Sequence, residues 1–343
     1  MMEKRQYNGL DVTKFILAVL VAARHMIQMF YPAESKWRLL ICSWLGNLAV
    51  PGFFVMAGFF LFRKTGGGKT DGDKAAVFRY CGKVFKLALI WSAIYFPINI
   101  YWWYTSHPRA GIAEWILDYI KGFFLCHPIV QLWFLPALFT ACLLVWFLYS
   151  KGMKIWQLLT LGGILFGTGC FVSNRYFGPE LPGEPLLQIY FRYFVTMRNG
   201  IFYGVFFVAM GLWFAKTEER IPLKTALAGF LLCLFLMFLE VLRYHNTDWV
   251  LFGAPTAFFM IAAALAFTGK NRDVYARLRG MSQWIYLSQY YFLFGFSFIE
   301  LPDKIPFTKK TVTVAVMVPM MLFSAVMVRL SETERFSWLK KLI

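Results

Sequence analysis

Charge is scarce in this chain, and acidic charge scarcest. Only 15% of its 343 residues are charged, against about a quarter in a soluble domain, and 18 Asp and Glu stand against 35 Lys and Arg. With 59% hydrophobic and 20% aromatic residues and a mean hydropathy of +0.56, the composition excludes an ordinary soluble domain and indicates a polytopic membrane protein. A net charge of +17 would suggest nucleic acid in a soluble protein. Here the basic residues sit in short segments between apolar runs, as membrane topology requires, so nucleic acid is set aside. Cysteine is also sparse. The six (Cys42, Cys81, Cys126, Cys142, Cys170, Cys233) are scattered, with no C-x-x-C pair, and read as buried thiols rather than a disulfide framework or metal site. The four histidines (His25, His107, His127, His245) are too far apart to show metal-ligand spacing, and the last three fall in or beside expected outside loops. H-E-x-x-H, G-x-S-x-G and dinucleotide fingerprints are lacking, and the glycine-rich stretch from Thr65 to Lys74 lacks P-loop spacing. No repeat or matched pair of broken helices is visible.

What is present is a series of apolar runs, each near the roughly 20 residues that cross a hydrocarbon core. They predict an all-α bundle of about ten transmembrane helices near 10–31, 39–62, 84–104, 130–150, 155–173, 198–215, 222–244, 249–268, 281–300 and 311–330. The amphipathic segment from Trp115 to Leu125 is too short to span and reads as an interfacial helix. With the N-terminus inside, Lys and Arg favour the inside segments by about two to one, which predicts both termini in the cytoplasm. Lys4 and Arg5 lead into a span too long for a cleavable leader, so a retained signal anchor is expected. A single domain over 1–343 is the simplest organisation, with 63–83 a flexible basic cytoplasmic loop.

Three clusters could carry chemistry. Asp11, Lys14, Arg24 and His25 all lie in the first span, where an ionisable group costs several kcal/mol unless it has a partner or a task. Asp11 and Lys14 are three apart and can pair. Lys14 and His25 are eleven apart, close to three turns, so they share a face about 16 Å apart along the axis. His25 then falls in the outer half of the span and Lys14 near the cytoplasmic face. Imidazole titrates near neutrality and suits a general base; the plain alternative is a histidine that only bonds a neighbouring helix. Arg79, Lys83 and Lys86 stack along one helical side at the third span, a geometry suited to polyphosphate or, more plainly, to lipid head groups. The third cluster is Gln131, Trp133, Arg198, Asn199, Glu240, Tyr286, Ser288, Gln289, Tyr290 and Tyr291. Among these Glu240 is a carboxylate inside an apolar run, and its partner (a buried Arg, or Arg243 one turn on) is left open.

Together these residues resemble the integral-membrane acyltransferase family 3, over nearly the whole chain. Gly9-Leu10-Asp11 followed by Lys14, ten residues and His25 is similar to the family's basic-residue/ten/His motif, with Lys for Arg. The second span from Val50 to Leu61, the Lys83-Val-Phe-Lys86 counterpart of R-x-x-R, Leu132-Trp133-Phe134-Leu135, Arg198-Asn199-Gly200, and Ser282 to Gln289 follow in family order. Gln131 and Gln289 stand where many relatives carry His, and glutamine hydrogen-bonds but does not titrate. Both Lys-for-Arg changes keep charge and lose the planar fork.

The resemblance implies an acyl-CoA-dependent membrane O-acyltransferase in a bacterial plasma membrane, with a sugar or lipid-linked acceptor, membrane lipids as surroundings, no metal, and a homodimer as one assembly open to it. His25 would be the base, with Arg24 and Asp11 beside it in the catalytic group. Lys14, Arg79, Lys83 and Lys86 would hold the donor. Trp133, Arg198, Asn199, Glu240 and Gln289 would face the acceptor. No fused racemase or esterase-like domain is expected after the last span. A small-molecule transporter, for amino acids for example, and a catalytically silent relative are the alternatives.

Overall fold

The computed structural model describes residues 6–66, 70–106, 111–125, 130–174, 184–194, 196–217, 220–244, 249–297 and 309–343. His107, His127 and His245, with Cys126, Lys4, Arg5, Arg109, Arg175 and Lys304, lie outside the described residues. The protein is helical, and no strand occurs among the described residues.

In chain order the α-helices are α1 (Asn8–Phe30), α2 (Ala49–Phe62), α3 (Asp71–Ile94), α4 (Phe96–Ser106), α5 (Ile112–Leu125), α6 (Phe134–Ser150) and α7 (Ile155–Asn174). They continue with α8 (Glu184–Phe194), α9 (Val205–Lys216), α10 (Leu223–Tyr244), α11 (Gly253–Ala266), α12 (Asp273–Ser297) and α13 (Lys309–Glu332). Every expected span coincides with helix. Among the described residues five helices are long and apolar enough to cross a membrane, or six if α3 and α4, bent by 57° at their junction, count as one. Pro97 in the first turn of α4 has no N–H to continue the α3 ladder, which accounts for a bend there. Helices α9 and α11 are apolar but shorter. The chain is thus a multi-pass membrane protein. Span two, Arg38–Phe62, opens with a π-helical turn (Arg38–Trp44) and a 3-10 turn (Leu45–Leu48) before α2, and such irregular turns often mark functional positions.

The chain packs as two compact units: Met1–Phe53 with Glu219–Ile343, and Phe54–Glu218. In the first, α1 and α12 run parallel in nearly constant register. Asp11 meets Arg279, His25 meets Tyr290 and Phe30 meets Phe296. Between these contacts Ala18 and Ala22, one turn apart, let α1 approach α12 and α13 closely, packing against Ile285 and Met320. Gly9 sits against the Ala264 carbonyl near the end of α11, where any Cβ would collide.

In the second unit, α2 and α9 cross through reciprocal glycines, Gly58 on the Val208 backbone and Gly211 on the backbone of Val55 and Phe59. Beside this crossing Phe54, Trp133, Phe134, Phe166, Tyr203 and Phe207 form an aromatic core of edge and tilted contacts. Helix α3 begins at Asp71 rather than near residue 84, so residues 71–83 of the expected loop are helix. Thr70 and Asp73 explain the start, since each side chain satisfies the other's backbone N–H in a capping box. Asp73 also accepts from the Gly66 N–H (2.6 Å), and Lys216 Nζ donates to the Thr65 and Gly66 carbonyls. Residues 65 and 66 are therefore tied down instead of hanging loose.

Candidate functional site

The unbroken helix from Lys14 to His25 confirms the stripe expected of them: the rise of about 16 Å follows from α-helical geometry alone. His25 is half-buried, and its Nδ1 lies 3.4 Å from the Tyr290 hydroxyl, with the two rings edge-on at 5.2 Å between centroids. This contact has a chemical consequence. A neutral imidazole accepts a proton at Nε2 only in the tautomer that carries its hydrogen on Nδ1, and in that tautomer Nδ1–H donates to the Tyr290 oxygen.

Arg24, next to His25, turns about 100° around the helix to the irregular start of span two. It is buried, and its Nη1 donates to Asn47 Oδ1 at 2.6 Å while Asn47 Nδ2 donates to the Ser43 carbonyl at 2.7 Å. Cys42 Sγ donates to the Arg24 carbonyl at 3.5 Å. The 3-10 turn places Asn47 for this, and Gly46 leaves room for the arginine stem.

Asp11 and Glu240 are placed differently from the expectation. Asp11 is buried and accepts from Arg279 Nη1 at 3.3 Å, so it joins the N-terminal halves of α1 and α12. It stands fourteen residues from His25, about 21 Å along the helix, too far to share a reacting centre. Glu240 is buried with one oxygen accepting from the Leu251 N–H (2.8 Å) and the other from the Phe252 N–H (2.9 Å), immediately before α11. A carboxylate on the exposed donors of a helix start is a strong, charge-assisted cap, so both Glu240 oxygens serve the fold. Gln289 is fully buried, and its Nε2 donates to the Tyr286 carbonyl at 2.8 Å.

In the second unit Arg79, Lys83 and Lys86 are exposed on one stripe of α3 and span about 10 Å. The Arg198 guanidinium lies over the Trp133 ring, 5.4 Å from its centroid. Asn199 is tied to the backbone of its own segment. Its Oδ1 accepts from the Ile201 and Phe202 N–H groups (3.0 Å each) and its Nδ2 donates to the Tyr190 hydroxyl (2.8 Å), so it caps the π-helical turn Gly200–Gly204. The structure thus gathers Asp11, Lys14, Arg24, His25, Glu240 and Gln289 in one unit and Arg79, Lys83, Lys86, Trp133, Arg198 and Asn199 in the other.

Sequence reading named Tyr290 only within a polar cluster, and passed over Asn47 and Arg279 as partners. Asn47 carries a weak signal, being an amide in the apolar run that precedes Pro51. Arg279 and Tyr290 carry none, because their partners are 268 and 265 residues away.

Comparison with known proteins identifies the family. The chain is 25% identical over 304 residues to the serine/alanine racemase of Enterococcus gallinarum, covering 85% of this chain and 42% of that protein. It is 25% identical over 285 residues to an amino-acid racemase of Enterococcus faecalis, covering 79% and 38%. The chain therefore spans about two fifths of the length of these curated relatives. No solved structure matches it. Residues 7–329 match the acyltransferase domain that defines acyltransferase family 3, and the chain belongs to that family.

Proposed function

We propose that this acyltransferase moves an acyl group, acetyl first among the candidates, from cytoplasmic acyl-CoA to a hydroxyl of a sugar or lipid-linked acceptor on the opposite side of a bacterial plasma membrane. The observation that carries the reading is His25 held against Tyr290 on the α1–α12 seam of a chain in this family. In this reading the ten helical runs are ten spans with both termini inside. The donor's phosphates lie on the exposed cations Arg79, Lys83 and Lys86.

The chemistry is a direct transfer. The acceptor O–H gives its proton to His25 Nε2 while its oxygen attacks the thioester carbonyl. The C–S bond then breaks, and the departing thiolate takes the proton back from His25. Tyr290 is a positioning residue: when the imidazole carries its hydrogen on Nδ1, the Tyr290 oxygen accepts it and Nε2 is left as the base. Arg24, fixed by Asn47, supplies positive charge near the developing oxyanion.

The two relatives are named for acting on amino acids, and a second reading is that an amino acid such as serine passes along the same polar residues. Transfer of label from acetyl-CoA by the purified protein, compared with serine flux into proteoliposomes, separates the two. Transfer is expected, and flux without transfer would replace the first reading by the second.

A further inference from the structure

Gln289 holds an acceptor that no described residue answers. Its side chain is fully buried, Nε2 donates to the Tyr286 carbonyl at 2.8 Å, and Oε1 has no hydrogen-bond partner among the described residues. Exchanging the amide's oxygen and nitrogen would set two carbonyl oxygens against each other, so the unanswered atom is the oxygen. A buried acceptor left in this state costs about as much as a lost hydrogen bond, which a ligand carrying a donor recovers.

Its position is defined by the parallel register of α1 and α12. Ile285 packs on Ala18 and Ala22, and Gln289 is one turn beyond Ile285 on the same face of α12. His25 is one turn beyond Ala22 on α1, facing Tyr290, the residue after Gln289. Gln289 and His25 are therefore consecutive along one seam.

We infer that Gln289 Oε1 reads a second hydrogen-bond donor on the acceptor substrate, the hydroxyl next to the one that is acylated. This rests on His25 acting as base. The nucleophilic hydroxyl has a single hydrogen and gives it to His25, so it has none for Gln289. A neighbouring hydroxyl supplies the missing hydrogen, and the substrate class this selects is a vicinal diol. Gln289 takes no proton and forms no bond. It orients the diol so that one oxygen faces the thioester, and it discriminates against alcohols that lack the second donor.

The test uses the full-length protein in nanodiscs with labelled acetyl-CoA and a panel of methyl glycosides with their monodeoxy analogues. In wild type, removing the hydroxyl next to the acylated position should lower the rate about 10- to 100-fold. In Gln289→Met, which keeps shape and removes the acceptor, parent and deoxy sugars should react at equal rates. The measured quantity is a ratio of substrates within one preparation, so it is independent of how much of a variant folds. Unchanged discrimination in Gln289→Met, as expected if Oε1 only binds water, overturns the inference and leaves the role of His25 intact. Absence of transfer to any of these alcohols, or transfer that persists in His25→Ala, overturns the parent reading instead.

Discussion

Two helices, one in each unit, treat polar side chains differently. Along α1 the polar groups Asp11, Arg24 and His25 are buried or half-buried and each meets a group on another element: Asp11 with Arg279, Arg24 with Asn47, His25 with Tyr290. Along α3 the cations Arg79, Lys83 and Lys86 are exposed in a row. A buried polar group is fixed in direction, and its removal strands its partner. An exposed cation acts through long-range charge that salt screens within about 10 Å at 0.1 M. The first arrangement suits steps that need a defined atom in a defined place. The second suits attraction of a flexible polyanion. The same unit shows the contrast at Lys216, whose ammonium is spent on two backbone carbonyls of the chain leading to α3.

That contrast can be broken from either side. The largest effect belongs to His25→Ala, which should lower acyl transfer by about 10²- to 10⁴-fold with membrane insertion intact, since that is the usual contribution of a positioned general base. Retained activity would reduce His25 to a packing residue. Next is Glu240→Gln, which keeps shape and halves the capping capacity. It should lower stability by about 1–3 kcal/mol in a detergent unfolding assay while the acceptor KM stays unchanged. A raised KM with unchanged stability would return Glu240 to the substrate. Tyr290→Phe removes one oxygen, and should lower kcat about tenfold without moving the KM for acyl-CoA; a change in KM alone would mean that Tyr290 binds donor instead of orienting the imidazole. The smallest effect is expected at the exposed stripe. Lys83→Glu with Lys86→Glu should raise the KM for acyl-CoA several-fold at low salt, and the difference should shrink at 0.5 M salt. Insensitivity to salt would count against a phosphate role.

Much of the helical layout is legible in the residues, because a membrane allows few alternatives to long apolar helices. The start of α3 was legible too. Thr70-Asp71-Gly72-Asp73 is a capping-box pattern, masked by the preceding glycines, which by themselves indicate a loop. The seam was legible on one side only. Lys14 and His25 align by helical geometry, but Arg279, Tyr290 and Asn47 become their neighbourhood through packing that leaves no trace in local sequence. Glu240 and Asn199 show the converse. A carboxylate or amide in an apolar run reads as functional until the backbone N–H groups that occupy it are seen. Gln289 was readable as a departure from the family's histidine, and its unanswered oxygen only from the structure.

The central claim is transfer across the membrane with His25 as base. It is tested most directly in sealed proteoliposomes of uniform orientation, loaded with labelled acetyl-CoA and bathed in a methyl glycoside. Wild type should deposit label on the external sugar while CoA accumulates inside, and His25→Ala should do neither. Label confined to the interior, or label delivered equally by both proteins, would contradict the account.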